Sequence, residues 1–494
     1  MPVFALPGPY GIGCFSEEAY RFADFLEEAG QHYWQILPLG PTGYGDSPYS
    51  PFSTFAGNPY FIDLQYFVRN GLLTSAECRE TFVGREDGRI DYGLLYRTRV
   101  PLMREAYRRW KQTGSRCRDL DDYYVFREEN ACWLDDYALF MALKEHYGGA
   151  SIDSWPREIR ERSPGALMQA RQELDEEVRI QSFVQYVFEK QWMELKAYVN
   201  SKGIRIIGDI PIYVSSDSAD FWADSRLFIK GKDGGKAPVA GVPPDGFSAT
   251  GQLWGNPLYD WEKHRADGYS WWMERIGRCA KIYDVLRIDH FRGFDEYFCI
   301  PGDADSAAGG HWEKGPGMDL FRHVKAAYPR LNIIAEDLGY MSDSVKKLVS
   351  DTGFPNMKVL EFAFDSRDVG EKEPHMPHAY ESNCVAYTGT HDNETLIQWL
   401  GSIRPAEKEK LMDYVGAEPG EDLQGIAWKV IRSLQASHAE LCVIPAWDWI
   451  GLGAEARINK PGSSSGNWTW RAAPDAFDST LAARIRHLCR TYGR

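Results

Sequence analysis

The sequence has no CxxC pair, although it holds nine cysteines, at positions 14, 78, 117, 132, 279, 299, 384, 442 and 489. An odd, scattered set argues against a disulfide framework and a thiolate zinc site, and for reduced thiols. No run approaches the ~20 apolar residues that a membrane-spanning helix requires, so no membrane partner is expected. The first residues, MPVFALPGPYGIG, lack a basic segment followed by a long apolar stretch. That reads against a signal peptide and makes the cytoplasm the expected location. Basic charge is also short: 56 Lys+Arg stand against 71 Asp+Glu, a formal net charge of −15. Such a balance disfavours a polyanion, and no nucleic acid partner is expected. There is no HExxH, no DxDxDG loop and no GxGxxG after a first strand, so the usual zinc, calcium and dinucleotide signatures are missing. The histidines of PHMPH (374–378) sit in a Pro-flanked loop that reads as solvated. Neither metal nor cofactor is expected.

What the chain does have is apolar and aromatic surface: 44% hydrophobic residues, 14% aromatic, with 17 Trp and 27 Tyr in 494 residues. That supports one large enzyme-sized domain with insertions, or several smaller ones. Eight apolar runs end abruptly in polar residues: Val3–Leu6, Tyr33–Leu39, Ile204–Val214, Val285–Phe291, Asn332–Gly339, Met357–Phe364, Val385–Asn393 and Leu441–Ile450. Continuous runs of this kind fit strands buried on both faces. Helical segments alternate with them. Ser16 can cap a helix whose apolar face is Ala19, Phe22, Leu26 and Ala29, stopped by Gly30. Ser342 starts another, ended by Gly353, and residues 183–203 form a third. The alternation predicts an α/β fold of the (β/α)8 TIM barrel type with inserted subdomains. A doubly wound sheet is the alternative, weakened by the missing glycine fingerprint. Spacing assigns residues 1–67 and 160–494 to the barrel and 68–159 to an inserted, mainly helical subdomain. A loop-rich insertion spans 215–270, where GKDGGKAPVAGVPPDGFSATGQLWGNP reads as neither regular helix nor strand.

Active sites of parallel barrels gather at the C-terminal ends of the strands. The residues there include Asp209, Asp289, Glu336 and Asp392. Converging carboxylates serve either a divalent metal or acid/base chemistry with a carboxylate nucleophile. Arg287 and Asp289 are two apart on one strand and share a face, which predicts an arginine that lowers the pKa of Asp289. Glu336 and Asp337 point opposite ways, and spacing does not choose between them. His391 beside Asp392 suits sugar hydroxyls or a structural role equally. Tyr44, Tyr49, Phe247 and Trp254 lie on loops near these ends, where flat rings can stack on sugars or simply pack.

These segments resemble the amylomaltases, the 4-α-glucanotransferases or disproportionating enzymes related to the α-amylase superfamily. The strings that carry the resemblance are LPLGPTGYGDSPYSPFSTFAGNPYFIDL (37–64), QWMELKAYVNSKGIRIIGDIPIYVSSDSADFWAD (191–224), GVPPDGFSATGQLWGNPLYDW (241–261), LRIDHFRGF (286–294), IIAEDLG (333–339), YTGTHDNET (387–395) and GLGAEARINKPGSSSGNW (451–468). The resemblance implies Asp289 as nucleophile, Glu336 as general acid/base and Asp392 as transition-state stabiliser. It places Asp209, Arg287, His391, Tyr49 and Ser47 around the sugar at the cleavage point, and Trp254 and Phe247 on a loop covering the acceptor groove. α-1,4-Glucans such as maltooligosaccharides are the implied substrates. One departure stands out: the family usually begins with a longer first strand ending in an HPTSLPG-like stretch, where this chain has MPVFALPG. A hydrolase with the same carboxylates and a catalytically silent glucan-binding protein are the rival readings.

Overall fold

The computed structural model describes residues 1–80, 88–113, 122–231, 235–244, 250–339, 341–366, 372–463 and 465–494. The described strands, in chain order, are β1 (Tyr33–Gln35), β2 (Arg205–Ile210), β3 (Val239–Val242), β4 (Gln252–Pro257), β5 (Val285–Ile288), β6 (Glu296–Ile300), β7 (His311–Lys314), β8 (Asn332–Ala335), β9 (Asn356–Val359), β10 (Cys384–Tyr387) and β11 (Leu441–Val443). Parallel ladders join β1-β2-β5-β8 and β9-β10-β11. The two sets meet where the Ala335 N–H donates to Pro355 O at 2.9 Å and the Met357 N–H to Asp337 Oδ1 at 2.9 Å. Seven parallel strands thus follow one another in barrel order, and their inward side chains form one cluster: Ile207, Val285, Ile334, Met357, Val359, Val385 and Tyr387. Their neighbours Ile206, Leu286, Ile333 and Ala386 belong to the larger core shared with the helices, as a period of two requires.

The eighth expected strand is absent. Val3–Leu6 begins with a 3-10 turn, Val3–Ala5, closed by the Ala5 N–H to Pro2 O at 3.2 Å and the Leu6 N–H to Val3 O at 3.1 Å. The four residues are buried, but Pro2 and Pro7 flank them and supply no N–H for a ladder. Met1 occupies part of the space between β11 and β1: its ammonium group donates to Gln35 O at 3.1 Å, and Trp34 Nε1 donates to Met1 O at 2.7 Å. A cavity of about 250 Å³ lies between Tyr33–Gln35 and Leu441–Val443, walled by Phe22, Phe25, Trp449 and Phe477.

The helices follow the sequence pattern. Glu17–Glu28 buries Ala19, Phe22 and Leu26, with Ser16 at its N-cap position and Gly30 past its end at φ +69°. Asp343–Thr352 is capped by Ser342 and ended by Gly353 in the left-handed region. The helix before β2 runs further than expected, over Asp175–Ser201. Between β1 and this helix lie Tyr92–Thr113, Tyr123–Glu129 and Ala131–His146. They dock on it through aromatic contacts such as Trp110 on Phe183, with ring centroids 4.9 Å apart.

The Gly/Pro-rich stretch corrects the loop reading. Its described part contains β3 and β4, which pair antiparallel with each other, while β3 pairs with β6 and β6 with β7. Partners more than fifty residues later in the chain supply the hydrogen bonds that local composition does not reveal. Gly241 is needed there for close approach rather than looseness: a Cβ would lie 2.2 Å from Gln252 O.

Candidate active site

The same alternation that fills the barrel builds the site. Ile207 and Val285 face the interior, so Asp209 and Arg287, two residues on, face it as well. The register of β2 and β5 sets Asp209 directly beside Arg287. Asp289 follows two residues after Arg287, and Glu336 two residues after Ile334. The Glu336 N–H bonds to Ile288 O at 3.1 Å, which locks the two strand ends together and brings both acids to the barrel mouth.

Arg287 organises this layer. With a side chain only 4% exposed, it donates from Nη1 to Asp209 Oδ2 at 2.6 Å and reaches Asp289 Oδ1 from Nη2 at 3.0 Å. Burial opposes its charge, but Asp209 and Asp289 outweigh that and hold its pKa above the ordinary value. Asp209 Oδ2 also accepts from the Tyr49 hydroxyl at 2.8 Å, while Asp209 Oδ1 is buried without a hydrogen-bond partner.

The expected lowering of the Asp289 pKa is not met. Burial raises it to about 6 against the pull of Arg287, whose other nitrogen is committed to Asp209. Glu336 is raised further, to about 8, by burial and then by the neighbouring Asp289 charge. Two backbone donors oppose that shift without cancelling it: the His290 N–H to Oε2 at 2.6 Å and the Leu338 N–H to Oε1 at 2.9 Å. The pair is therefore split, with Asp289 ionising before Glu336 as pH rises. Asp337 is turned away and accepts from the Met357 N–H, so Glu336 is the acid that faces the mouth.

On the opposite side, the loop after β10 carries His391 and Asp392. The His391 ring stacks on Tyr49 with centroids 4.7 Å apart and planes at 17°, and Nδ1 lies 3.3 Å from the Tyr49 hydroxyl. Asp392, with a side chain 49% exposed, has Oδ1 3.4 Å from His391 Nε2 and accepts from Asn459 Nδ2 at 2.6 Å. Asp209, Arg287, Asp289, Tyr49, His391 and Asp392 thus form one contiguous network, with Glu336 beside it. Trp254, on β4, meets the mouth through an edge-to-face contact with His290, centroids 4.9 Å apart.

Two expected site residues are not in this network. Ser47 Oγ accepts from the Tyr49 N–H at 3.2 Å, so it shapes the turn that presents Tyr49. Tyr44 is fully exposed on the same loop. Phe247 lies outside the described residues. The PHMPH histidines are occupied separately: His375 Nδ1 accepts from the Val359 N–H at 3.1 Å, and His378 Nδ1 lies 3.0 Å from the Tyr414 hydroxyl.

Sequence reasoning missed His290 and Asn459. His290 adopts φ +51°, a left-handed conformation in which a histidine is uncommon, and this turns its N–H onto Glu336. Burial lowers its imidazole pKa to about 3, so it stays neutral. Its signal was adjacency to Asp289 in the DHFRG string. Asn459 lies sixty-seven residues from Asp392, and only its place in the 451–468 string pointed to it.

The family model described as 4-alpha-glucanotransferase matches residues 1–476. The chain belongs to this family. It is 45% identical over 100% of both chains to a 4-alpha-glucanotransferase from Clostridium butyricum. It is 44% identical to one from Thermus thermophilus, over 99% of this chain and 97% of the relative. Among solved structures, an amylomaltase from Streptococcus agalactiae in complex with acarbose is 39% identical, with a TM-score of 0.94 over 100% of this chain and 98% of that one. An amylomaltase from Corynebacterium glutamicum shares the fold at 17% identity, with a TM-score of 0.73.

Proposed function

We propose that this 4-alpha-glucanotransferase moves a segment of an α-1,4-glucan to the 4-hydroxyl of another glucan or glucose by a retaining double displacement. Glu336, protonated, donates to the glycosidic oxygen while Asp289 attacks the anomeric carbon, giving a covalent glucosyl-enzyme. Glu336, now ionised, takes the proton from the incoming 4-hydroxyl, and the sugar is transferred. Asp392 grips ring hydroxyls more tightly as positive charge develops on the sugar. Asp209 and His391 hold the sugar at the cleavage point, with Arg287 and Tyr49 fixing them. The observation that carries this reading is the pair of neighbouring acids at the strand ends, Asp289 on the Arg287 guanidinium and Glu336 half-buried on two backbone N–H groups, with burial and the Asp289 charge pushing Glu336 the higher of the two. The acarbose complex of the Streptococcus agalactiae relative supports a glucan-type ligand in this groove.

Transfer must outrun water, which requires a bound, oriented acceptor in a shielded site. The 215–270 insertion, with Trp254 at the mouth and Phe247 beyond the described residues, is our candidate cover. The barrel (1–67 and 160–494) and the helical insertion (68–159) complete the proposed domain division. No described helix is long and apolar enough to cross a membrane. The described cysteines are free thiols, which supports a reducing, cytoplasmic setting.

Maltotriose alone tests the activity. Glucose plus a ladder of longer maltodextrins is expected, with total reducing ends constant. Rising reducing ends without a ladder would mean a hydrolase, and unchanged maltotriose a silent binder.

The split pair also sets a pH profile. Asp289 must be ionised, so kcat/KM falls as pH drops below about 6. Glu336 must carry its proton, so kcat/KM falls as pH rises above about 8. Because the two acids interact, the limbs belong to the pair. A single-sided profile between pH 4 and 10 would contradict the assignment.

A further inference from the structure

Behind the loop that carries His391 and Asp392 stand two buried carboxyls with no part in the chemistry above. Glu361, 3% exposed, lies two residues beyond Val359 of β9, and Asp448, 1% exposed, lies in the short helix Ala446–Ile450 after β11. They flank β10 from its two neighbours, and each reaches sideways onto the loop. Asp448 Oδ2 accepts from Thr388 Oγ1 at 2.6 Å, and its Oδ1 from the Leu396 N–H at 2.8 Å. Glu361 Oε2 accepts from Asn393 Nδ2 at 3.0 Å. Asn393 Oδ1 accepts in turn from the Thr390 N–H at 2.9 Å and Thr390 Oγ1 at 2.8 Å. Thr390 Oγ1 then accepts from the Asp392 N–H at 3.3 Å. An unbroken chain of hydrogen bonds therefore runs from Glu361 to the backbone of Asp392.

The rest of Glu361's surroundings favour a neutral acceptor over a charge. Its Oε1 is buried without a hydrogen-bond partner. A Cβ on Gly389 would lie 3.0 Å from that oxygen, so the loop needs glycine to pass it. Among the described residues neither Glu361 nor Asp448 is paired with a basic side chain; Arg457 Nη1 instead lies 3.6 Å from Glu394. Burial, and then the Asp448 charge, push the Glu361 carboxyl well above its ordinary pKa.

We propose that Glu361 is a positioning residue for the transfer reaction: by accepting from Asn393 it locks the Thr388–Asn393 turn and fixes the direction in which Asp392 points. This rests on the reading of Asp392 as the carboxylate that grips the sugar. Asp392 is half exposed, and among the described residues only the His391 contact and the Asn459 amide hold its carboxylate. A small displacement of such a group is enough to lower kcat.

The test measures kcat and KM for maltotriose disproportionation, with a maltosyl fluoride donor for the slow variants. Glu361→Ala and Asn393→Ala, which break the same link from its two ends, are each expected to lower kcat ~10–100-fold with KM changed less than ~3-fold. Glu361→Gln keeps the acceptor oxygen and is expected to stay within ~3-fold of the parent. In the Asp392→Asn background, Glu361→Ala should cost less than ~3-fold more, because the group it positions is already gone. Full multiplication of the two losses, or a Glu361→Gln loss as deep as that of alanine, overturns the proposal. If Glu361→Ala does not fold, Asn393→Ala alone and in the Asp392→Asn background carries the same test. Should Asp392→Asn by itself leave kcat unchanged, the role of Asp392 fails first and takes this proposal with it, a result distinct from multiplication.

Discussion

Asp289→Asn is expected to abolish glucan transfer, with kcat lower by on the order of 10⁴-fold or more. The substitution keeps the shape of the side chain and removes the nucleophilic oxygen, so the first displacement cannot start. A donor with a good leaving group, such as maltosyl fluoride, bypasses the need for a proton but not the need for a nucleophile, and no covalent sugar should be detected on the protein by mass spectrometry. Structural damage should be limited. Arg287 loses one of its two carboxylates but keeps the 2.6 Å bond to Asp209, so a buried guanidinium is not left without an anion. Maltooligosaccharide binding, measured by calorimetry or by tryptophan fluorescence, should survive. The same variant reports on its neighbour. Burial and the Asp289 charge together hold Glu336 near 8, and removing that charge should move Glu336 downward. A glucosyl-enzyme that still accumulates in the Asn variant would transfer the nucleophile's role to another carboxylate, and Asp209 is the one at hand.

The parts of this site that were legible in the sequence share a cause. Ile207, Val285 and Ile334 belong to apolar runs that stop at acids, and a parallel barrel puts the stopping points on one rim. Once the period of two is applied, Asp209, Arg287, Asp289 and Glu336 fall on the inward face. Other features depend on facts that no local pattern carries. Val3–Leu6 is as apolar as a strand, and only its flanking prolines and surroundings make it a turn. β3 is a strand because residues 296–300 return to pair with it, and β4 is one because it pairs with β3. The choice of Glu336 over Asp337 came from family resemblance; its physical expression is the Asp337 bond to the Met357 N–H. The Asp289 shift runs upward because its burial, which spacing along the strand does not show, outweighs the pull of Arg287, an arginine that the register of β2 and β5 also shares with Asp209. Tyr44 was singled out by position on a loop, and loop position does not determine which side chain turns toward a rim; Ser47 came from the family resemblance.

Glu336→Gln is expected to separate the two halves of the reaction. With maltotriose, whose departing sugar needs a proton, kcat should fall ~10²–10⁴-fold. With maltosyl fluoride the leaving group needs no proton, so the first displacement stays fast. The second does not, because no base remains to take the proton from the incoming 4-hydroxyl. The glucosyl-enzyme should then accumulate on Asp289, where the parent enzyme turns it over. The pH profile should change on one side only. Below about 8 Glu336 is already protonated, so a neutral amide in its place leaves the charge around Asp289 as it was and the limb near 6 persists. The alkaline limb should vanish. A modest loss of stability accompanies this, since the His290 and Leu338 N–H groups both donate to this carboxyl and the amide nitrogen cannot accept from either. One buried donor left unsatisfied costs about 1–3 kcal/mol, measurable by denaturant unfolding. If the fluoride donor reacts as slowly as maltotriose and the alkaline limb remains, the proton on Glu336 is not the one the leaving group receives, and the half-buried acid at the barrel mouth would be a structural group rather than a catalytic one.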